Sequence, residues 1–372
     1  MNEPEGHAPP RRAVRPRKPS AFVRRREVRI GAVTIGGDNP VAVQSMANTC
    51  TRDADATIAQ ILRLQEYGCE MVRVAVPDME SAGALPAIKR AISIPLIADI
   101  HFDPALAQAA VEAGVDKVRL NPGNITTPER VGPVAKLLAG RGIPVRVGVN
   151  SGSIPADLKE MYATKPVKAV VETAHRYVMI LQGFGVKHIV VSLKCSDVMQ
   201  TVESYRRFAA QSDLPVHIGI TEAGPGVTGA ARSAVGIGLL LAEGIGDTLR
   251  VSLAGDVVDE VIIGREILMS LGLREGPRII ACPTCARAEF DVAALAKELM
   301  PSVMRMKKPF TVAVMGCVVN GPGEAAEADI GLFGAGGKFA LYINGAVARQ
   351  GMARDEAIAA LHEAIRDAEA KQ

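Results

Sequence analysis

Short apolar runs alternate with longer amphipathic segments along most of the chain. From about residue 40 to residue 272, each β-branched apolar run is followed by a turn and then by a segment with helical spacing. The predicted strands cover residues 41–44, 71–76, 96–100, 117–120, 145–149, 188–193, 216–220 and 248–253. The clearest helices cover residues 105–113, 170–184, 202–211, 235–243 and 258–271. Strands that alternate with helices in this way form parallel sheets.

The number of repeats indicates how the sheet closes. Eight predicted strands over about 230 residues fit a (β/α)8 barrel of the TIM type. An open doubly wound sheet is the alternative, although no G-x-G-x-x-G fingerprint follows the first strand. We therefore predict an α/β protein whose main domain is a (β/α)8 barrel.

The pattern changes after residues 274–277. Further strands are predicted at 279–280, 311–315, 330–333 and 339–343, and helices at 292–300 and 353–368. This mixture predicts a small α+β domain. The predicted organisation is a basic, disordered tail over residues 1–27, the barrel over 28–273 and the α+β domain over 278–372.

Composition narrows the class of protein. The chain has 372 residues, 48% of them hydrophobic, and a net charge of +3, which does not by itself indicate a nucleic-acid partner. No apolar run reaches the ~20 residues that a membrane helix needs. The arginine-rich start has no apolar signal segment, and the six cysteines form no dense disulfide pattern. These features favour a reduced, cytoplasmic protein.

Three of the cysteines have the spacing of a metal site. Cys282 and Cys285 form a C-x-x-C pair, and Cys317 begins a Gly- and Pro-containing segment that ends at Glu324. Thiolates are soft ligands that suit iron–sulfur clusters, zinc and copper. Because a 4Fe–4S cube has one more iron corner than this set has thiolates, Glu324 is the candidate for the remaining ligand. A redox dithiol or half of a zinc site remains an alternative for the C-x-x-C pair.

Charged and polar residues lie within or directly after the predicted barrel strands. Parallel strands buried on both faces are normally apolar, and the carboxyl ends of barrel strands form active sites. The candidates are Arg73, Asp99, His101, Arg119, Asn121, Arg146, Asn150, Lys194, Thr221, Glu222, Arg250 and Ser252. Each one alone could instead be a buried ion pair or a satisfied core residue. Together they carry an excess of positive charge, which predicts a multiply anionic ligand such as a diphosphate.

The motifs at these positions resemble those of the 4-hydroxy-3-methylbut-2-enyl diphosphate synthase family, over about residues 28–367. They are RVAVP at 73–77, ADIHF at 98–102, RLNPGN at 119–124, GVNSGS at 148–153, GITEAG at 219–224, CPTC at 282–285 and NGPGE at 320–324. The resemblance implies a barrel joined to a domain that resembles part of the sulfite-reductase fold. It also implies one 4Fe–4S cluster per subunit, bound by Cys282, Cys285, Cys317 and Glu324.

The resemblance further implies a reaction and its partners. The reaction is the two-electron reductive ring opening and dehydration of 2-C-methyl-D-erythritol 2,4-cyclodiphosphate to 4-hydroxy-3-methylbut-2-enyl diphosphate, in non-mevalonate isoprenoid biosynthesis. Flavodoxin or ferredoxin would donate the electrons. A homodimer is expected, in which the cluster domain of one subunit covers the barrel of the other. Glu222 would be the proton donor and Glu324 the most readily displaced ligand, and the other barrel candidates would bind substrate.

Two other functions remain open at this point. A barrel enzyme of the dihydropteroate-synthase type would fit the barrel residues, but it has no use for the three C-terminal cysteines. A non-enzymatic iron–sulfur or zinc protein that binds RNA through the basic tail would leave the arginines of the predicted strands unexplained.

Overall fold

The computed structural model describes residues 25–100, 103–121, 128–283 and 285–371. The chain divides into two compact units, and the boundary between them falls between Arg274 and Glu275. Residues 1–24 of the predicted tail and the candidate His101 lie outside the described residues. No helix within the described ranges is both long and apolar enough to cross a membrane.

The first unit begins with a hairpin and continues with the strands of a parallel sheet. The hairpin consists of β1 (Val28–Ile30) and β2 (Val33–Ile35). The sheet strands are β3 (Ala42–Met46), β4 (Met71–Ala75), β5 (Leu96–Ile100), β6 (Lys117–Leu120), β7 (Val145–Asn150), β8 (Ile189–Lys194), β9 (His217–Ile218) and β10 (Thr248–Leu249). All of them lie within or beside the segments that hydrophobicity predicts, although β9 and β10 are shorter than predicted.

The parallel sheet curls into a nearly closed barrel. Among the described residues it has eight strands in the order β8-β7-β6-β5-β4-β3-β10-β9. A parallel bridge between Val191 of β8 and Val216, directly before β9, brings the two ends of this order together. The prediction of a (β/α)8 barrel is confirmed, and the open doubly wound alternative is wrong.

Helices connect the barrel strands. They are α1 (Ala54–Glu66), α2 (Met79–Ala91), α3 (Pro104–Glu112), α4 (Pro128–Arg141), α5 (Lys159–Thr164), α6 (Pro166–Gly183), α7 (Val198–Gln211), α8 (Gly226–Ala242) and α9 (Val257–Ser270). Several begin after an aspartate whose side chain accepts a backbone N–H of the first turn, namely Asp53, Asp78, Asp103, Asp197 and Asp256. These caps define where each loop from a strand ends and its helix begins.

Helix α8 starts earlier than the sequence pattern predicts. Its first half contains glycines, which are poor helix formers and conceal the helical periodicity. Two of its glycines, Gly229 and Gly236, lie where there is no space for a side chain. A Cβ at Gly236 would lie 2.5 Å from a side-chain carbon of Ile220, and one at Gly229 would lie 2.3 Å from the carbonyl oxygen of Gly224.

The hairpin fills the amino-terminal end of the barrel. Val28, Ile30 and Ile35 form an apolar cluster with Ala42, Met71, Ile97 and Val190, which lie at or near the starts of their strands. Ile30 and Ile35 are completely buried. Strands of three residues are too short to show an alternating pattern, so the sequence did not predict the hairpin. The apolar plug closes this end of the barrel, so the space that a ligand can enter lies toward the carboxyl ends of the strands.

The second unit has a mixed sheet flanked by helices. Its elements are β11 (Pro277–Ala281), α10 (Val292–Arg305), β12 (Phe310–Met315), α11 (Gly321–Glu327), β13 (Ile330–Ala335), β14 (Lys338–Ile343), β15 (Ala346–Met352) and α12 (Arg354–Ala370). Strands β11, β12 and β13 are parallel, and β14 and β15 continue the sheet antiparallel. The predicted small domain with strands and helices is confirmed. Strand β15 and helix α11 were not predicted, because β15 is exposed along most of its length and α11 begins with Gly-Pro-Gly.

Candidate functional site

A cavity of about 250 Å³ lies at the carboxyl ends of the barrel strands. We call it the cationic cavity. It is lined by Met46, Arg73, Asp99, Arg119, Arg146, Asn150, Ser192, Lys194, Ile220, Thr221, Arg250 and Ser252. The structure therefore brings most of the candidate barrel residues around one space, and adds Met46, Ser192 and Ile220 to them.

Three candidates are placed differently. Asn121 is buried directly after β6 and is not among the described residues that line the cationic cavity. Glu222 is exposed in the turn before α8, and its φ of 53° lies in the left-handed region. His101 lies outside the described residues.

Asp99 joins two arginines across neighbouring strands. Its carboxylate accepts a hydrogen bond of 2.9 Å from Arg119 Nη1, and its other oxygen lies 3.5 Å from Arg73 Nε. Asp99 is only 2% exposed. Pairing of Asp99 with Arg119 in the β5–β6 register places these groups side by side on the same barrel face. A buried pair with this geometry holds both guanidinium groups in fixed directions.

Arg250 is held by a carboxylate that sequence reasoning missed. Glu260 on α9 accepts from Arg250 Nε at 3.1 Å and from Arg250 Nη2 at 2.9 Å. The same carboxylate, 2% exposed, also accepts the backbone N–H of Leu253 at 3.0 Å. The available signal was an acidic residue between Val257, Val258 and Val261 on an otherwise apolar helix face, where burial implies a partner.

Positive charge exceeds negative charge in the cationic cavity. Arg73, Arg119, Arg146, Lys194 and Arg250 line it, and among the described residues the carboxylates that pair with them are Asp99 and Glu260. Burial, followed by the neighbouring cations, lowers the pKa of Arg146 and Lys194 well below the usual values of these groups. Burial is also the main reason that the pKa of Arg73 falls to about 10. The site is therefore suited to an anion of more than one charge.

Arg146 has donors that no described residue accepts. It is 2% exposed, and its Nε and Nη1 atoms have no hydrogen-bond partner among the described residues. Buried polar atoms are normally paired, so an unpaired guanidinium beside a cavity indicates a ligand or water position. Lys117, at the start of β6, is also completely buried with an unpartnered Nζ, and burial lowers its pKa well below the usual value. We did not predict Lys117 because it lies at the amino end of its strand.

Glycines in two of the motifs leave room for the cations. A Cβ at Gly148 would lie 2.7 Å from Arg119 Nε, and one at Gly219 would lie 2.8 Å from Lys194 Nζ. A Cβ at Gly219 would also lie 2.4 Å from the backbone oxygen of Arg250. A larger residue at Gly148 or Gly219 would therefore force these neighbouring groups to move.

The three C-terminal cysteines line a second, smaller cavity. This thiol cavity, of about 80 Å³, is lined by Cys282, Cys285 and Cys317 together with Arg287, Gly316 and other residues of the same unit. Cys282 directly follows β11, and Cys317 lies two residues beyond β12. Because β11 and β12 are adjacent and parallel, their carboxyl ends carry both thiols to the same edge of the sheet.

Backbone and cationic groups surround the thiols. The N–H of Gly316 donates to Cys282 Sγ at 3.1 Å. Cys285 is exposed, and hydrogen bonds from the backbone and side chain of Arg287 lower the pKa of its thiol. The lowered pKa favours the thiolate form of Cys285, which is the form that binds metal.

Glu324 is close in sequence but is not part of the thiol cavity lining. It lies in the first turn of α11 and is half-buried. Within the described ranges, no three His, Cys, Asp or Glu side chains converge closely enough to hold a single metal ion. Ligands of one zinc ion all lie about 2.3 Å or less from one point, whereas the thiolates of a cube each bind a different iron. The three thiols around one cavity are soft ligands of the type that iron–sulfur clusters use.

Each of the two compact units matches a domain of a known protein family. The profile of the GcpE TIM-barrel domain matches residues 25–265, and that of the GcpE protein C-terminal domain matches residues 278–367. The chain belongs to the GcpE family. The two matched regions lie on either side of the boundary between the compact units of this GcpE protein.

Two curated relatives of this GcpE protein carry the same name. The 4-hydroxy-3-methylbut-2-en-1-yl diphosphate synthase (flavodoxin) of Geobacillus thermodenitrificans strain NG80-2 is 49% identical over 326 residues, which is 87% of each chain. The protein of the same name from Geobacter sulfurreducens is 52% identical over 326 residues, 87% of this chain and 92% of the relative.

Solved structures with a similar fold are dihydropteroate synthases. That of Stenotrophomonas maltophilia aligns with a TM-score of 0.50 at 15% identity, over 65% of this chain and 97% of that one. The dihydropteroate synthase of Yersinia pestis, in a complex with a sulfonamide drug, aligns with a TM-score of 0.50 at 10% identity. The alignment covers 67% of this chain and 100% of that one. At such low identity the likeness shows the shared barrel fold alone, so it does not support a dihydropteroate-synthase activity.

Proposed function

We propose that the protein catalyses the reductive ring opening and dehydration of 2-C-methyl-D-erythritol 2,4-cyclodiphosphate to 4-hydroxy-3-methylbut-2-enyl diphosphate. Counted on the free acids, two electrons and two protons open the ring and release one oxygen as water. The curated relatives named above, about half identical to this chain, support the assignment. The observation in the structure that carries it is the cationic cavity, which is built from residues of the family motifs.

The barrel residues bind and orient the diphosphate. Arg73, Arg119 and Arg250 are held by carboxylates, so their remaining N–H groups are directed before substrate arrives. Arg146 supplies donors that have no partner among the described residues. Each charge-assisted hydrogen bond to a phosphate oxygen contributes roughly 1.5–3 kcal/mol. Asn150, Thr221 and Ser252 add neutral hydrogen-bonding groups around the same space.

Glu222 is the proposed proton donor. It follows Thr221 of the cavity lining, and its φ of 53° is unusual for a residue with a side chain. Such a conformation costs about 1–3 kcal/mol and recurs at active sites and ligand-binding segments. We assign to its carboxyl group the delivery of a proton to the departing hydroxyl.

The thiol cavity fits an iron–sulfur cluster. We propose that Cys282, Cys285, Cys317 and Glu324 hold one 4Fe–4S cluster per subunit, which when bound supplies the electrons. The three thiols around one space and the Gly316 N–H directed at Cys282 support this. Glu324, an oxygen ligand less well matched to iron than a thiolate, would be the ligand most easily displaced.

The partners are also proposed. The names of the relatives specify flavodoxin, which supports flavodoxin over ferredoxin as electron donor. A homodimer in which the cluster-bearing unit of one subunit covers the barrel of the other remains our proposal, as does a reducing, cytoplasmic location. The six cysteines are unpaired, in keeping with such a location.

Anaerobic turnover with reduced flavodoxin tests this function. The iron-loaded protein should convert the cyclic diphosphate and contain about four irons per chain. Cys285→Ser should lose visible colour, iron and activity, whereas Cys50→Ser, at an exposed cysteine of the other unit, should retain all three. Arg146→Met should keep its iron but lose roughly 10- to 100-fold in kcat/KM. Stoichiometric zinc without iron, or no conversion by the iron-loaded wild type, would contradict the proposal.

A further inference from the structure

Two buried basic side chains contact each other beside the cationic cavity. Lys194 Nζ lies 3.2 Å from His217 Nε2, and the two residues are 9% and 0% exposed. The other ring nitrogen of His217 contacts the Thr248 hydroxyl. The carbonyl oxygen of His217 accepts a hydrogen bond of 2.6 Å from the Tyr205 hydroxyl. Both ring nitrogens of His217 and its backbone carbonyl thus have partners, and Lys194, but not His217, lines the cavity.

The contact allows only one arrangement of protons when Lys194 is charged. An ammonium group has donors and no acceptor, so His217 Nε2 must accept from it. The proton of the neutral imidazole then lies on Nδ1 and is donated to Thr248 Oγ1. Burial, followed by the charge of Lys194, lowers the pKa of His217 well below its usual value, which favours this neutral form.

Lys194 faces an unusually positive environment. It has no carboxylate at ion-pair distance among the described residues, since Asp99 and Glu260 pair with arginines. The cations that act on it come from four other strand segments and are Arg146, Arg250, Arg73 and Arg119. Burial, followed by these cations, lowers the pKa of Lys194 well below its usual value. An anion in the cavity has the opposite effect and makes the ammonium form favourable.

We propose that His217 is a positioning residue for Lys194, and that this pair couples diphosphate binding to the uptake of a proton from solvent. The proton is bound by Lys194 Nζ. His217 Nε2 accepts one of the ammonium hydrogens, which directs the others toward the phosphate oxygens. The inference rests on the proposed function for the chemistry of the ligand, a diphosphate. If Lys194 takes up a proton on binding, the affinity for diphosphate depends on pH through Lys194 as well as through the ligand's own ionisation.

The direction of the pH dependence follows from the two states of Lys194. Burial and the neighbouring cations lower its pKa in the free protein, and the negative charge of a bound diphosphate raises it again. Below the lower value, the group is charged in both states and no proton is taken up. Between the two values, binding takes up a proton, so affinity falls as the pH rises.

Calorimetric titration of the iron-loaded, full-length protein with pyrophosphate measures this uptake. Titrations at one pH, in buffers of different ionisation enthalpy, give the number of protons exchanged. Lys194→Met reports the protons that pyrophosphate itself exchanges, so the difference from wild type belongs to Lys194. We expect a net uptake in wild type that is absent from Lys194→Met. Equal proton exchange by the two proteins would overturn the inference and leave the proposed function standing.

Variants of His217 test the positioning role. His217→Leu removes the acceptor and should weaken pyrophosphate binding about tenfold, with the fall in affinity beginning at lower pH. His217→Gln, which can place an oxygen near the Nε2 position, should restore most of the affinity. Thr248→Val removes the partner of Nδ1 with little change of shape and should give an intermediate effect.

The outcomes are distinguishable from a failure of the proposed function. Wild-type affinity and pH profile in His217→Leu would overturn the role of His217. If His217→Leu does not fold, the number of protons taken up by wild type still tests the proton uptake. The pH profile of pyrophosphate affinity in Thr248→Val then tests the role of His217. A wild type that does not bind pyrophosphate at all would overturn the proposed function, and this inference with it.

Discussion

The cationic cavity and the thiol cavity are assembled in opposite ways. Three of the barrel cations, Arg73, Arg119 and Arg250, are fixed by the buried carboxylates Asp99 and Glu260, each 2% exposed. The thiols follow the ends of β11 and β12, and Cys285 is exposed. Among the described residues, the hydrogen bond given to Cys282 comes from a backbone N–H.

The difference shows which of the two sites has its side chains in position before a ligand or cluster binds. The barrel holds these three arginines in place before any ligand binds, because Asp99 belongs to the same sheet and Glu260 to a helix packed on it. Loop thiols gain their final arrangement from the cluster they bind, since metal binding and local folding are coupled. We therefore expect damage to the first site to reduce stability, and the second site to remain chemically reactive without its cluster.

The largest expected effect on stability is that of Asp99→Asn. The substitution leaves Arg73 and Arg119 without their shared carboxylate in a cavity that already has excess positive charge. Breaking a buried pair by removing one partner costs about 3–5 kcal/mol. Urea unfolding of the iron-free protein should show this loss in the free energy of unfolding of the barrel. A loss below about 1 kcal/mol, typical of a surface pair, would mean that the cavity is not held by its ion pairs.

A smaller effect is expected for Glu260→Gln, and the chain provides a matched control. Arg206 and Glu243 form the same two-pronged pair as Arg250 and Glu260, but their side chains are 36% and 30% exposed rather than 16% and 2%. Glu260→Gln should lower the free energy of unfolding by about 1.5–3 kcal/mol. Glu243→Gln should cost less than about 1 kcal/mol, because solvent screens the exposed pair. Equal losses of unfolding free energy in the two variants would show that burial does not determine how much each ion pair stabilises the protein.

The smallest effect concerns the reactivity of the thiols and leaves the fold intact. Hydrogen bonds from Arg287 lower the pKa of Cys285, whereas burial raises the pKa of Cys69 to about 12 and that of Cys195 to about 11. Since the thiolate is the reactive form, iodoacetamide should label Cys285 of the iron-free protein at neutral pH, well before Cys69 or Cys195. Peptide mass spectrometry over a pH series measures this order.

A variant of Arg287 provides the control for that experiment. Arg287→Met removes the side-chain hydrogen bond and charge beside Cys285, so the pH at which labelling accelerates should rise. Labelling of Cys285 that is as slow as that of Cys69 would contradict the picture of an open thiol cavity.

The sequence by itself determined the barrel strands, the cysteine cluster and most of the cation set. Buried parallel strands are short β-branched runs, so each is visible locally, and the carboxyl ends of such strands must share one edge. That rule placed Arg73, Arg119 and Lys194 together without any knowledge of contacts. The C-x-x-C spacing likewise depends on adjacent residues alone.

Only the tertiary structure decided which side chains contact those cations and hold them in place. Glu260 reaches Arg250 from α9, and His217 reaches Lys194 from a neighbouring strand. The tertiary structure also left Asn121 and Glu222 outside the lining of the cationic cavity. It placed the β1–β2 hairpin at the amino-terminal end of the barrel. Hydrophobic periodicity reports the local conformation of the chain, whereas these contacts depend on how the barrel closes and which residues its register brings opposite each other.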